Sequence, residues 1–232
     1  MRLKLALFDF CPYCQRVRIL LEHYKMPYEL EWIGQNAKPA WFSAASPLGR
    51  VPVLAVNEVP IIESAVIGEL VDELGGARML PTDPVARAQI RVTVARASES
   101  QSSFGAMIRA EDQAAFAAAL DQLHHNLAPI EKAFDATGAY FGGADLCMVD
   151  VVLAPLLTRM RLLQPLLPCF PEDLPRLERL ADTLTCLPEV HRSVDGDPVR
   201  AFDSMIEHLN PSGYVARHWP GTRDLCLERS EP

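Results

Sequence analysis

The sequence predicts an α/β domain over residues 1–80, an all-α domain over residues 87–210 and a tail over residues 211–232. Short apolar runs separated by turn residues fill the first part, and such runs are typical of β-strands. Residues 77–86 contain two prolines and are predicted to link the domains. After this linker, apolar residues recur every three or four positions, as on the buried face of a helix. We therefore expect the second domain to be helical.

The composition restricts the classes of function that we expect. Of the 232 residues, 49% are hydrophobic, so the chain can bury a substantial core. The formal net charge of −8 argues against a surface that binds nucleic acid. No apolar run reaches the roughly 18 residues of a membrane span, and the apolar N-terminal segment is too short for a signal peptide. We therefore expect a cytoplasmic protein with no nucleic-acid or membrane partner.

A cysteine at the start of a helix is the strongest chemical signal in the sequence. The apolar run Leu3–Phe8 predicts a buried strand, and Pro12 suits the first position of a helix, which makes Cys11 its N-cap. We expect free backbone N–H groups, the helix dipole, Arg16 and Arg18 to stabilise a thiolate on Cys11. Because Cys-x-x-Cys thiols at helix starts have pKa values of roughly 3.5–7.5, Cys11 is the predicted nucleophile.

Cys14 lies one turn further along this helix, where the dipole favours a thiolate less, and it is a possible resolving thiol. The helix is predicted to bury Val17 and Leu20 and to expose Gln15 and Arg18. Two other interpretations of the cysteine pair are half of a zinc site and a pair of inert core cysteines. A zinc ion would need two more ligands, but the remaining four cysteines form no second close pair, and His124 and His125 are adjacent to each other. We therefore expect no metal site.

Three more strands are predicted in the α/β domain. Apolar and polar residues alternate over residues 26–33, which predicts a second strand. This strand should pair parallel to the first in a right-handed β-α-β unit of thioredoxin-like type. Residues 51–56 and 59–62 are predicted to form an antiparallel hairpin. Pro60 places the second strand of this hairpin at the sheet edge, because proline cannot donate a hydrogen bond to a neighbouring strand.

Three segments near the predicted strand ends are candidates for binding a ligand. Lys38 could bind an acidic group, although a surface lysine is more often only solvated. Pro52 lies at the mouth of a strand, where a cis bond after Val51 would turn backbone N–H and C=O groups toward a peptide-like thiol. Ser64, which with Glu63 opens the helix after the hairpin, either binds a carboxylate or only caps the helix.

The all-α domain is predicted to begin with Asp83 as a cap and Pro84 at the first helical position. Its first helix should bury Val85 and Val92 and be interrupted at the polar segment 98–103. A long amphipathic helix with an internal proline follows, and we expect the proline to kink it. A strongly apolar helix and three shorter helices complete the prediction.

Four motifs, in their order and spacing, resemble an omega-class glutathione transferase: Cys-Pro-Tyr-Cys, Lys-Pro-Ala-Trp-Phe, Pro-Leu-Gly-Arg-Val-Pro-Val-Leu and Glu-Ser-Ala. The resemblance covers most of the chain and implies a glutathione transferase fold, with glutathione bound where the two domains meet. It implies a mixed disulfide between Cys11 and glutathione. The residues that it implies for binding the tripeptide are Lys38 at the glycine carboxylate, Val51 before Pro52 at the cysteinyl backbone, and Glu63 and Ser64 at the γ-glutamyl end.

The activity predicted from this resemblance is glutathione-dependent thiol transfer. The expected reactions are reduction of glutathione mixed disulfides, of dehydroascorbate or of glutathionyl adducts of small electrophiles, because a cysteine is itself the nucleophile and forms a covalent intermediate. Two alternatives stay open: a two-domain dithiol glutaredoxin that uses Cys11 and Cys14, and a non-enzymatic binding or regulatory protein of the same fold. The resemblance also implies a homodimer.

Overall fold

The computed structural model describes residues 1–34, 38–134 and 138–221, and it contains a four-stranded mixed sheet. The strands in chain order are β1 (Leu3–Leu7), β2 (Glu29–Trp32), β3 (Val53–Val56) and β4 (Val59–Ile62). They are arranged in the order β2-β1-β3-β4, with β2 parallel to β1 and with β3 antiparallel to both of its neighbours. β4 therefore lies at the sheet edge, as the proline in it predicted.

Helices cover both faces of this sheet. The helices of this part of the chain are α1 (Pro12–His23), α2 (Ala40–Ala45) and α3 (Ser64–Leu74). α1 and α3 pack together on one face, where Leu5 and Leu54 belong to the main core. On the other face, Phe42 of α2 packs against Ala6 and Val53. Successive residues of a strand point to opposite faces, so each of these strands contributes to both layers.

All the named elements of the described chain after the linker are helices. They are α4 (Pro84–Arg109), α5 (Gln113–Ala133), α6 (Met148–Leu163), α7 (Pro175–Thr185), α8 (Pro188–Arg192), α9 (Pro198–Leu209) and α10 (Tyr214–His218). Asp83 caps α4 by accepting a hydrogen bond from the Ala86 N–H at 2.8 Å, as predicted. α6 is almost wholly buried and packs against α4, α7 and α1, so it joins the helical part to the sheet. The predicted fold class is confirmed.

The structure continues into the segment that the sequence assigned to a tail. The ring centroids of Tyr214 and Phe116 lie 5.1 Å apart, and those of Trp219 and Phe202 lie 4.8 Å apart. These aromatic contacts attach α10 and the residues after it to α5 and α9. Residues 222–232 lie outside the described residues, and the domain boundaries drawn from the sequence stay a prediction. None of the described helices combines the length and apolar character needed to cross a membrane.

Two expectations for α4 are wrong. The polar segment 98–103 does not interrupt the helix, and its serines donate hydrogen bonds to backbone carbonyls four residues earlier in the same helix. Val85 and Val92 are 68% and 54% exposed instead of buried. The buried face of α4 consists of Thr93, Val94, Ala97, Ser100, Gln101, Phe104, Met107 and Ile108. This face includes polar residues, so the apolar pattern of the sequence selected the wrong side of the helix.

α1 is buried on both sides, and the predicted exposure of Gln15 and Arg18 is therefore wrong. Helices α6 and α8 pack against the side of α1 that the sequence pattern left exposed. Gln15 donates a hydrogen bond to Ser193 Oγ at 3.1 Å, and Arg18 forms an ion pair with Asp195 at 2.9 Å. The apolar period of a helix predicts one buried face, and it does not show whether a distant element covers the polar face with hydrogen-bonding groups.

Candidate active site

The sheet brings the residues predicted to form the site to one of its ends. Parallel strands β1 and β2 both finish at this end, β3 begins there, and β4 finishes there. The segments that flank these strand ends carry Cys11, Lys38, Val51, Pro52, Glu63 and Ser64. The structure thus brings together the sequence-predicted site residues, whereas their roles stay a prediction.

Cys11 is the N-cap of α1, as predicted, and its side chain is 9% exposed. A hydrogen bond from the Cys14 thiol lowers the pKa of the Cys11 thiol, and hydrogen bonds from the backbone N–H groups of Cys14 and Tyr13 lower it further. Burial acts in the opposite direction, and the positive charge of Arg159 favours the thiolate. The balance of these effects makes Cys11 a nucleophilic thiolate at lower pH than a free cysteine.

Cys14 lies beneath Cys11 and is 1% exposed. Burial raises the pKa of the Cys14 thiol well above its usual range, and the hydrogen bond to Cys11 and the Cys11 charge raise it further. Arg18, which the sequence placed beside Cys11, instead pairs with Asp195, and its charge acts on Cys14. The Cys14 thiol therefore stays protonated and donates a hydrogen bond to the Cys11 sulfur.

Val51 borders the Cys11 thiol. The Val51–Pro52 peptide bond is cis, as predicted. Val51 is half-buried and packs against the small apolar cluster that contains Cys11 and Cys14. The Val51 segment therefore packs beside the cysteine pair of α1.

Lys38 reaches over the loop that leads to Val51. Gly49 in this loop has a φ of 66°, and a Cβ atom on it would lie 2.5 Å from the Lys38 Nζ. Glycine therefore leaves the space that the ammonium group occupies and also accommodates the left-handed backbone. Lys38 is exposed, and none of the ion pairs among the described residues includes it. Its charge is available to an acidic group.

Glu63 and Ser64 follow β4 at the start of α3. Glu63 is the N-cap and has a φ of 69°, a left-handed conformation that is rare for a residue with a side chain. Ser64 is the first helical residue, so the interpretation of Ser64 as the N-cap is wrong. The Glu63 side chain makes no capping hydrogen bond and is exposed, and Ser64 is half-buried. Both side chains are thus open to a ligand at the helix start.

Two buried guanidinium groups lie near Cys11, and sequence reasoning missed one of them. Arg159 of α6 donates from Nη1 to the Gln15 Oε1 at 2.7 Å and from Nη2 to the Phe10 carbonyl at 3.4 Å. Burial lowers the pKa of both Arg159 and Arg16 to about 10, so both are charged at neutral pH. The sequence signal for Arg159 was an arginine inside a strongly apolar helix, where an unpaired charge is rare.

Aromatic and polar side chains border the segment that carries Cys11 on the side of the helical part. The ring centroids of Phe10 and His208 of α9 lie 4.6 Å apart, and the Tyr13 hydroxyl lies 3.3 Å from Ser102 Oγ of α4. This surface suits a second substrate with an apolar or planar part. Within the described ranges, no group of three or more His, Cys, Asp or Glu side chains is arranged to hold a metal ion.

Comparison with protein-family models gives two matches. Residues 10–74 match the model described as "Glutathione S-transferase, N-terminal domain". Residues 113–182 match the model described as "Glutathione S-transferase, C-terminal domain". The first match spans the segment from Phe10 to the end of α3, and the second spans α5, α6 and most of α7. Together they cover more than half of the chain.

Individual known proteins are 25–31% identical to this chain. The chain is 30% identical to glutathione S-transferase omega-1 of Sus scrofa over 158 residues, which are 67% of this chain and 66% of that protein. It is 31% identical to the stringent starvation protein A homolog of Haemophilus ducreyi over 64% of this chain and 70% of that protein. The crystal structure of glutathione transferase Omega 3C from Trametes versicolor has a TM-score of 0.73 at 25% identity and covers 85% of this chain and 91% of its own. The match thus spans just under two thirds of the omega-1 relative.

Proposed function

Because the chain belongs to the glutathione S-transferase family, we propose that it is a glutathione-dependent thiol transferase that forms a mixed disulfide on Cys11. The observation that carries this proposal is the different placement of the two cysteines, with Cys11 at the N-cap of α1 and Cys14 fully buried one turn further along. The pKa of the Cys11 thiol is lowered, whereas that of the Cys14 thiol is raised. A thiolate at this position is itself a nucleophile, so thiol transfer and reduction are favoured over conjugation.

In the proposed reaction the Cys11 thiolate attacks the glutathione sulfur of a mixed disulfide between glutathione and a second thiol. The Cys11–glutathione S–S bond forms as the original S–S bond breaks, and the second thiol leaves as a thiolate that takes a proton from water. A second glutathione thiolate then attacks the glutathione sulfur of the Cys11 adduct. Glutathione disulfide leaves, and the Cys11 thiolate is restored.

The tripeptide in this proposal lies along the end of the sheet that carries Cys11. We assign the Val51 backbone to the cysteinyl part, the Lys38 ammonium to the glycine carboxylate, and Glu63 with Ser64 to the γ-glutamyl end. These assignments agree with the chemistry of the groups, because an exposed ammonium suits a carboxylate, and the Glu63 carboxylate suits the α-amino group. The free N–H groups at the start of α3 suit the γ-glutamyl carboxylate.

The second substrate is proposed by class. It is a small glutathione mixed disulfide, dehydroascorbate or a glutathionyl adduct of a small electrophile, in each of which a thiolate can attack sulfur or an electrophilic centre. The surface formed by Phe10, Tyr13 and His208 favours substrates with an apolar or planar part.

Two other functions compete with this proposal. A dithiol cycle requires Cys14 to become a thiolate and attack Cys11, and the burial of Cys14 opposes that step. A binding or regulatory role is favoured by the similarity to the stringent starvation protein A homolog, whose name describes no transferase. Such a role would not require a thiol with a lowered pKa, so the properties of Cys11 favour the enzyme.

The proposal is tested by comparing Cys11→Ser and Cys14→Ser in the glutathione-dependent reduction of the cysteine–glutathione mixed disulfide. Cys11→Ser should lose activity by at least about 100-fold, because a serine hydroxyl is a poor nucleophile without an adjacent base. Cys14→Ser should lose only a few-fold, since its hydroxyl can still donate a hydrogen bond to the Cys11 sulfur. Full activity in Cys11→Ser would contradict the proposal, and loss of turnover in Cys14→Ser would favour the dithiol cycle.

A further inference from the structure

We infer that Arg159 is a positioning residue for Cys11, and that its buried charge, delivered by α6 from the helical part of the chain, keeps the Cys11 thiol ionised. This inference rests on the proposed function, because it takes Cys11 to be the reacting thiol. It assigns part of the reactivity of Cys11 to a residue that lies 148 positions later in the sequence.

Arg159 is buried without a counter-ion among the described residues. Its side chain is 5% exposed, and its hydrogen bonds run to neutral acceptors: the Gln15 Oε1 at 2.7 Å, the Pro155 carbonyl at 2.6 Å and the Phe10 carbonyl at 3.4 Å. The Arg159 Nε has no hydrogen-bond partner. None of the ion pairs in the described part of the chain includes this residue. A buried charge in this state is costly unless an anion faces it.

Arg16, which belongs to α1, is also buried without a counter-ion among the described residues. It is 3% exposed, and it donates to the Val152 carbonyl and to Ser98 Oγ, both at 3.0 Å. Its guanidinium also lies over the Tyr13 ring, 4.9 Å from the ring centroid. The Arg16 Nη2 has no partner, and no described carboxylate pairs with the group. Two buried cations therefore meet where the sheet part and the helical part are in contact.

The Cys11 thiolate is the anion that can balance these charges. Its charge stabilises the protonated forms of both Arg159 and Arg16, and the Arg159 charge in turn lowers the pKa of the Cys11 thiol. The Cys14 thiol supplies no second anion, because burial and the Cys11 charge raise its pKa. The other titratable side chains packed near the Cys11 segment are Tyr13 on α1 and His208 on α9, whose ring lies 4.6 Å from that of Phe10.

Arg159 also holds the backbone on which Cys11 sits. It donates to the carbonyl of Phe10, the residue before Cys11, and to the side chain of Gln15, one turn after it. The same charge should make Cys11 a better leaving group when a second glutathione attacks the mixed disulfide, because a thiol of lower pKa leaves faster. Both half-reactions of the proposed cycle then depend on Arg159.

The test is the pH dependence of Cys11 alkylation by iodoacetamide, followed by mass spectrometry of the Cys11 peptide in the full chain without glutathione. Arg159→Met removes the charge and keeps an unbranched side chain, and we expect it to raise the alkylation midpoint by about one pH unit or more. Arg159→Gln, which keeps a hydrogen-bond donor without the charge, should give the same shift. Arg159→Lys keeps a charge and should shift the midpoint by less than half as much.

The matched control is Arg176→Met. The Arg176 guanidinium also donates to backbone carbonyls, those of Glu131 and Phe134, and it belongs to α7, away from Cys11. The Arg176→Met variant should be less stable than the native protein but should keep its Cys11 alkylation midpoint. Circular dichroism shows which variants are folded. An unchanged alkylation midpoint in folded Arg159→Met or Arg159→Gln would overturn this inference and leave the proposed function standing. An equal shift in Arg176→Met would do the same. An alkylation midpoint of the native protein near 8.5, the pKa of a free cysteine, would contradict both the inference and the proposed function.

Discussion

Two residues in left-handed backbone conformations shape the end of the sheet that carries Cys11. Gly49 turns the loop before Val51 and leaves room for Lys38, and Glu63 directs the chain from β4 into α3. A left-handed conformation costs about 1–2 kcal/mol for a residue with a side chain, so it persists where the surrounding structure requires it. The Glu63 side chain makes no capping hydrogen bond to the N–H groups of α3.

Gly49→Ala tests this arrangement at the residue scale. The methyl group would displace the Lys38 ammonium and strain the loop, so we expect the KM for glutathione to rise several-fold and the free energy of unfolding to fall by about 1 kcal/mol. The control is Gly34→Ala, because a Cβ on Gly34 would meet nothing within 4 Å. Steady-state kinetics and urea unfolding measure the two effects. An unchanged KM in Gly49→Ala would argue against Lys38 as a glutathione ligand.

Among the elements, the linker between the sheet and α4 is held by one side chain of α3. Asp72 is 1% exposed and accepts hydrogen bonds from the Arg78 and Met79 N–H groups at 3.0 and 2.9 Å and from the Tyr24 hydroxyl. The Met79 carbonyl accepts a hydrogen bond from the Met148 N–H at the start of α6. The linker thus connects α3 directly to the helix that carries Arg159.

Asp72→Ala should destabilise the protein by about 2–4 kcal/mol, because it leaves buried N–H groups without an acceptor. Asp83→Ala is the control, since Asp83 is an exposed N-cap whose loss costs about 1 kcal/mol. Urea unfolding followed by circular dichroism gives both free energies. Equal losses in the two variants would show that Asp72 contributes no more than a surface cap.

Local signals predicted the elements better than their packing. Pro12 and Pro84 marked the first residues of α1 and α4, and Pro60 marked the edge strand, because each of these signals acts within a few residues. The burial of Gln15 could not be predicted, since it depends on a hydrogen bond to Ser193, which lies far away in the sequence. Arg159 was missed for the same reason, because only the packing of α6 on α1 brings it to Cys11.

At the scale of the whole molecule, β4, α3 and α4 carry exposed apolar side chains, which together are called the apolar face. The Arg91 Nε lies 2.9 Å from the Glu69 Oε1, and this ion pair brings the exposed side of α3 against that of α4. The exposed apolar residues on these elements are Val59, Ile62, Val66, Val85 and Val92. Such a face on a family member suits a second copy of the chain, and we propose that it is the homodimer interface.

Val92→Glu should convert the proposed dimer to a monomer, because a carboxylate buried at an apolar interface would have no charged or hydrogen-bonding partner. The control is Leu166→Glu, since Leu166 is also exposed but lies after α6, outside this face. Sedimentation velocity distinguishes the two states, and circular dichroism shows whether each variant is folded. A monomeric native protein, or a Val92→Glu protein that stays dimeric, would contradict the proposed interface.

The central claim is that Cys11 carries glutathione during turnover while Cys14 stays a protonated hydrogen-bond donor. The most direct measurement is mass spectrometry of the reduced native protein after reaction with excess glutathione disulfide, without added glutathione, which would discharge the adduct. We predict one glutathione on the peptide that contains Cys11 and no intramolecular disulfide in the main species. A dominant Cys11–Cys14 disulfide under these conditions would contradict the claim, as would a Cys11 that stays unmodified.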